Sequence, residues 1–440
     1  MAWVAKLLAW PLENQPGRVV TLCRLRSAVF LLVLAGLLGV MLAACGEGGV
    51  RLKAGASAVS ISPRPEHLEG GVYLGGYGGF RSRQARGVHD DIFSRALALS
   101  DGTSTVVLVA LDLVGISNVQ INRIRAEAAS RAGLPEESIL IASTHSHATP
   151  DLQGLWGGVP ESYREYLRER VVQSVVEAVS QLDDAELSAA SVEAQGLTQN
   201  RRGWPFTDTV LTVLQARRPG GEAIATLVNF AVHPTVTGPE NLEVSRDFVG
   251  FLVEALETRL GGMALFINGD EGDSIPLESG DFAVARQYGE KLAQVVVDAL
   301  AEADRLGPPV RLDSVAVEIP IEQPLFAQAV ASGMLDYEAV TRDGKPYLST
   351  RMSMVRIGER LQAVTLPGEA LTRLGQSIRA QMAAQYSLLL GLTDDTVGYL
   401  VPEDEWLTGR DENYEEQVSL SQQAAGIISD AVTSLVHATE

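Results

Sequence analysis

The chain has 440 residues, 46% of them hydrophobic, and carries 55 acidic against 35 basic side chains, for a formal net charge of −20. Such an acidic excess excludes electrostatic docking on nucleic acid or on anionic lipid. Two cysteines, Cys23 and Cys45, exclude a disulfide framework.

In chain order, residues 1–44 read as an export signal. Lys6, Arg18, Arg24 and Arg26 stand against one acid, Glu13, ahead of an uncharged apolar stretch from Ala28 to Ala44. Leu42-Ala43-Ala44-Cys45 is similar to a lipobox, with Cys45 the lipidated residue after cleavage; the alternative is an uncleaved anchor. Either way the protein is expected outside the cytoplasm, lipid-anchored to a bacterial membrane in the first case. Removing four basic residues and one acid from a chain at −20 leaves about −23, so attachment would rest on the lipid chains. Residues 46–54, opening Gly46-Glu47-Gly48-Gly49, form a tether, and 55–440 read as one catalytic domain large enough for two sub-cores.

Within that domain, 95–100 and 103–113 are strand-like runs joined by the hairpin signal Asp101-Gly102. Helical spacing of apolar residues marks 119–132, 161–182, 248–260, 283–303 and 370–384, with a closing helix at 419–438. Strands are expected at 209–216, 224–231, 263–267, 310–321 and 352–366. Interleaving of this kind indicates an α/β fold of mixed sheets covered by helices.

Chemistry-bearing residues gather at the predicted carboxyl ends of strands, where open α/β folds bind ligands. Thr144-His145-Ser146-His147 follows the apolar run 138–142, and His233 closes Asn229-Phe230-Ala231-Val232. Neutral imidazole is a common zinc ligand, so two histidine-bearing strand ends suggest a metal site there. Asp270, Glu271 and Asp273 make an acidic loop that could take a second cation, Mg²⁺ or Ca²⁺, or simply be a solvated turn. Asp247 reads as a helix N-cap, and His67, His89 and His437 as hydrogen-bonded structural residues, His89 with the option of bracing the site. The glycines from Gly70 to Gly79 lack a phosphate-loop lysine and a following helix, which argues against a nucleotide.

Taken together these segments resemble the neutral ceramidase family, zinc-dependent amidases acting on the N-acyl bond of ceramide. The resemblance runs through Ala56 to Pro63, Gly75-Gly76-Tyr77, Gly87-Val88-His89, Thr144-His145-Ser146-His147, Asn200-Arg201, Phe230 to Thr235, Ser245-Arg246-Asp247, Gly272-Asp273, Leu366-Pro367-Gly368-Glu369, Gly398-Tyr399 and Tyr414-Glu415. It implies one catalytic Zn²⁺ held by His145, His233, Glu369 and Tyr399, with hydroxide on the metal as nucleophile. It implies proton transfer by His147 and carbonyl contacts from Arg201 and Tyr414, with Arg202 the substitute if the register slips by one. Ser274 would bind or orient the substrate. Glu369, after a Pro-Gly turn, could alternatively favour a helix amino terminus.

The chain departs from the family pattern at three places. Ala148-Thr149-Pro150-Asp151 replaces Gly-Pro-Gly after the histidine pair, Ile275 rather than serine or asparagine precedes Pro276, and Tyr399 and Tyr414 are spread by a small insertion near Thr408-Gly409-Arg410. The carboxyl-terminal immunoglobulin-like sandwich of longer relatives is absent from this sequence. The expected function is a lipid-anchored zinc amidohydrolase on ceramide or a related N-acyl lipid. Its alternatives are an amidase or esterase on another substrate and a noncatalytic lipid- or solute-binding lipoprotein.

Overall fold

The computed structural model describes residues 51–333, 335–337, 339–408 and 414–438. The expected leader, Cys45 and the tether through Val50 lie outside them, as do Gly409 and Arg410. Arg51–Glu440 is one compact unit, and its first strand begins at Lys53, inside the expected tether.

Three sheets, each backed by helices, surround a shared core. The first runs in the order β4 (Ile139–Ser143), β3 (Thr105–Leu111), β2 (Phe93–Ser100), β1 (Lys53–Ser60), with residues 183–184 at its edge. The second runs β8 (Met263–Asn268), β7 (Ala223–Phe230), β6 (Val210–Arg217), β5 (Glu186–Glu193), β9 (Asp304–Leu306). The third runs β10 (Val310–Pro320), β11 (Lys345–Ile357), β12 (Leu361–Thr365), β14 (Tyr386–Leu390), with residues 339–342 against β11. The missing number, β13 (Glu369–Ala370), pairs instead with β15 (Tyr399–Leu400) in a parallel two-stranded ladder.

Strand alternation produces this layering. On β2, Leu97 and Leu99 face the shared core while Ala96 and Ala98 face the helices. The shared core takes Leu108 and Leu140 from the first sheet, Leu227 and Leu265 from the second, and Leu361 and Leu388 from the third. Each is nearly or fully buried, which contributes about 1.5–3 kcal/mol per side chain before chain entropy is counted. The first sheet's outer face is closed by α1 (Asn118–Ala132) and α2 (Glu161–Ser180), the second's by α3 (Phe248–Leu260) and α4 (Phe282–Leu300). The third is closed by α6 (Thr372–Gln381) and α7 (Ala424–His437), with α5 (Pro324–Ala331) at its end. Two sub-cores were expected; a central core and three outer ones are found, because each sheet buries both faces.

The expected hairpin at Asp101-Gly102 forms, with Asp101 Oδ1 accepting from the amides of Thr103 and Ser104. The expected strand 352–366 is two strands, because Gly358 takes φ 55° and turns the chain between β11 and β12. The closing helix starts at Ala424 rather than 419. Among the described residues, no helix is long and apolar enough to cross a membrane.

Each sheet contains one parallel pair: β3 with β4, β7 with β8, and β12 with β14. Their carboxyl ends are stitched together. The Ser143 amide donates to Leu392 O, the Gly391 amide to Asn268 O, and Asn268 Nδ2 to Thr144 O. The functional side chains emerge from this junction.

Candidate active site

His145 and His147 follow β4, His233 follows β7, and Glu369 and Tyr399 are direct register partners on β13 and β15. The ladder explains why two residues thirty positions apart arrive together. The Glu369 amide also donates to Gly398 O, and Gly398, at φ 83°, has no room for a Cβ, which would lie 2.0 Å from Val418 O.

His145 Nε2 and His233 Nε2 lie 3.3 and 3.2 Å from the same carboxylate atom, Glu369 Oε2. Each ring is fixed through its other nitrogen: His145 Nδ1 donates to Val114 O at 2.5 Å and His233 Nδ1 to Ser274 O at 3.0 Å. Burial pushes His233 down to about 4, so its ring is neutral. Burial would raise the Glu369 carboxyl, but the charge and hydrogen bonds of His145 and His233 outweigh it and hold the group well below the usual carboxylate range. Nδ1 of each ring is thus the donor to its carbonyl, and each Nε2 lies within hydrogen-bond reach of Glu369 Oε2. Two imidazoles and a carboxylate converging in a buried site are a donor set compatible with a metal ion. The backbone carbonyls on Nδ1 are the outer partners that metal-binding imidazoles use.

His147 is built differently. Its Nε2 lies 3.2 Å from His145 Nε2, and its Nδ1 is buried with no hydrogen-bond partner among the described residues. Burial, then the neighbouring imidazoles of His145 and His233, hold its pKa well below the ordinary value. Nitrogens of all three histidines fall within 4.8 Å of one another. The ring packs on Gly76, where φ is 88° and a Cβ would meet the imidazole at 2.2 Å. Its carbonyl accepts from the buried guanidinium of Arg83, which also holds Gly75 O. His145 itself takes φ 71°, a left-handed conformation that costs a non-glycine residue about 1–3 kcal/mol.

The Arg201 guanidinium lies over the rings of Tyr399 and Tyr414, 4.9 and 5.7 Å from their centroids. Its Nε donates to Glu415, and its Nη2 is buried without a partner among the described residues. Arg202 is instead tied to Glu415 and Glu416, so Arg201 is the arginine that faces the site. Burial, then the charges around it, place Tyr399 and Tyr414 above the ordinary phenol value, so both are protonated. Tyr414 is 55% exposed and stands at the mouth.

Ser274 reaches the site through its carbonyl, which accepts from both the amide and Nδ1 of His233. Its hydroxyl is fully buried and donates to Ala231 O. The acidic loop does not converge either. Asp273 accepts from Thr372 and Asn200, Asp270 lies beside Arg379, and Glu271 is buried apart from both. Among the described residues, the three histidines are the one group of three or more such side chains placed to hold a metal. Asp247 caps α3 and accepts from Val236 and Thr237, steadying the loop after His233. His89 stacks on Phe282 at 3.5 Å beside Asp90.

Sequence reasoning missed Asn268. Fully buried, it donates to Thr144 O and Val232 O and accepts from the Val232 amide, so it clamps the residues directly before His145 and His233 and closes β8. An amide ending the apolar run Met263–Ile267 was its signal.

Residues 69–270 match the family described as neutral/alkaline non-lysosomal ceramidase, N-terminal. That span carries the three histidines and Arg201. No curated protein matches the chain. Among solved structures, neutral ceramidase from Pseudomonas aeruginosa aligns with TM-score 0.72 and 17% identity over 88% of this chain and 75% of that one. A ceramidase described as complexed with C2 aligns with TM-score 0.74 and 16% identity over 89% and 75%. The fold is therefore shared beyond the matched span. Over residues 69–270 the chain is similar to the neutral/alkaline non-lysosomal ceramidase family, and its fold is that of the two ceramidase structures.

Proposed function

We propose that this protein is a zinc-dependent amidohydrolase that cleaves the N-acyl amide bond of ceramide or a related N-acyl lipid. The observation that carries the reading is the convergence of two imidazoles, each fixed through Nδ1, on one buried carboxylate oxygen, a donor set suited to a metal ion. His145, His233 and Glu369 would hold the metal, with Tyr399 adjacent. A bound zinc ion supplies a Lewis acid beside which water ionises near neutral pH.

The chain's own groups divide the remaining work. The Arg201 Nη2 donor, buried and unpartnered, holds the amide carbonyl oxygen, and the Tyr414 hydroxyl closes over it from the mouth. As the carbonyl carbon becomes tetrahedral, charge grows on that oxygen and the contact strengthens. His147 is neutral, so it accepts the proton lost by the attacking water and delivers it to the departing amine, which must be protonated to leave. Its lack of a carbonyl partner on Nδ1 leaves the ring free to do so. Ser274 O and Val114 O keep the other two rings from turning. Following the leader and lipobox pattern, the mature protein would work outside the cytoplasm, tethered through Cys45.

The test is hydrolysis of a fluorogenic ceramide before chelation, after it, and after zinc is restored. Activity that disappears and returns is expected. Zinc-loaded protein inert toward ceramide and toward short N-acyl amides would overturn the assignment.

A further inference from the structure

The segment after the histidine pair, Ala148-Thr149-Pro150-Asp151, departs from the family pattern, and the chemistry proposed above makes no use of it. Asp151 is fully buried, and its carboxylate gathers four backbone amides from the turn that follows. Oδ1 accepts from Gln153 and Gly154 at 3.1 and 2.9 Å, and Oδ2 from Trp156 and Gly158 at 2.7 and 2.9 Å. One side chain therefore sets the course of residues 151–158.

That turn is docked on the segment that backs His147. The Asp151 amide donates to Tyr73 O, the Tyr73 amide to Gly158 O and the Arg81 amide to Trp156 O. The Trp156 indole packs on Gly75, where a Cβ would lie 3.0 Å from the ring, and the next residue, Gly76, receives the His147 imidazole. Trp156 is left only partly buried. It lines the same cleft as His145, His147 and Glu369, and Leu155 and Phe326 add further apolar surface there.

We infer that Trp156 is a substrate-contacting wall of this cleft, recognising hydrocarbon that adjoins the scissile amide, and that Asp151 is the residue that positions it. This rests on the amidohydrolase reading. A few polar groups that orient a ligand, set beside apolar and aromatic walls that hold it, are the usual make-up of a small-molecule site. An indole is among the largest apolar faces a side chain offers. Asp151 touches no substrate in this arrangement and acts through the backbone amide of Trp156.

The experiment uses the full zinc-loaded chain, with fluorogenic ceramide and an N-acetyl amide lacking hydrocarbon tails as substrates. Trp156→Ala should lower the kcat/KM preference for ceramide over the short amide by at least about tenfold, a difference of about 1.4 kcal/mol. The loss should fall on KM for ceramide, with zinc content as in wild type. Asp151→Asn, which puts a nitrogen that cannot accept in place of one oxygen, should move the preference the same way by less. Introduced on top of Trp156→Ala it should change the preference by less than about twofold, the non-additivity of residues that act as one unit. A preference unchanged in folded Trp156→Ala overturns the wall, and that variant decides the point even where Asp151→Asn fails to fold. A full Asp151→Asn effect in the absence of Trp156 overturns the positioning role. Calorimetric binding of laurate and of dodecylamine separates the wall from the chemistry. Weakening of either by at least about tenfold in Trp156→Ala, in protein that hydrolyses neither amide, would uphold the wall and discard the hydrolase.

Discussion

Two buried groups of charged residues in this protein resolve their electrostatics in different ways. Around Asp270, the acids Asp208 and Asp270 are served by Arg379, whose Nη2 is 2.5 Å from Asp208 and 3.7 Å from Asp270. Burial and the neighbouring Asp208 charge push the Asp270 carboxyl well above the usual range. Around Glu369, the carboxylate meets the Nε2 atoms of two imidazoles. The first group pairs its acids with an arginine; the second gathers imidazole nitrogens around a carboxylate, with Arg201 beside them. Clustered imidazole nitrogens, rather than clustered acids, separate the histidine junction from the acidic loop as the candidate metal site.

The comparison can be broken at several points. The largest effect is expected at the junction: His145→Ala or His233→Ala should abolish zinc retention and bring amide hydrolysis to background, a loss exceeding the roughly 10–100-fold cost of removing an outer partner. Metal content after gel filtration together with activity checks this. Arg379→Met should do the reverse, costing about 3–5 kcal/mol of stability by stranding the buried acids while zinc affinity stays as in wild type. Urea unfolding and chelator competition would separate the two, and loss of zinc binding in a folded Arg379→Met protein would merge the clusters into one system.

Asn268→Ala tests the clamp between the histidine segments. A loss of about 10–100-fold in zinc affinity is expected, as for other outer partners, and unchanged affinity would show that the strand ends hold the ligands without it. The smallest effect is a slope. Because the folded-state pKa of Asp270 is raised, the native protein keeps a proton that the unfolded chain releases near pH 4, and this contribution to stability is lost as pH rises through the window above that value. Asp270→Asn should flatten the fall by at most about 1.4 kcal/mol per pH unit, read from urea midpoints across pH 4–8.

The histidine segments were legible in the sequence because each sits at the end of a continuous apolar run, which fixes it at a strand's carboxyl end. Glu369 and Tyr399 could be reached only by resemblance, since their meeting depends on a two-residue ladder too short to leave a periodic signal. The Asp270 loop, read as a place for a second cation or a solvated turn, is buried instead, for a related reason. Arg379, its partner, lies on another element more than a hundred residues away. Strand 386–390 was missed outright: its partner is parallel, so no hairpin turn announces it. The shared core was equally hidden, because alternation shows that a strand has two faces but not that three sheets turn one face each toward the same centre.

Those three sheets give the junction a further property. His145, His233 and Glu369 each belong to a different layer, so the donor set does not exist within any one of them. In the zinc reading, capture therefore requires all three layers to have docked. A chain with one layer undocked, however rich in secondary structure, presents an incomplete donor set. Zinc uptake followed in time during refolding would report the moment at which the last layer closes, independently of any substrate.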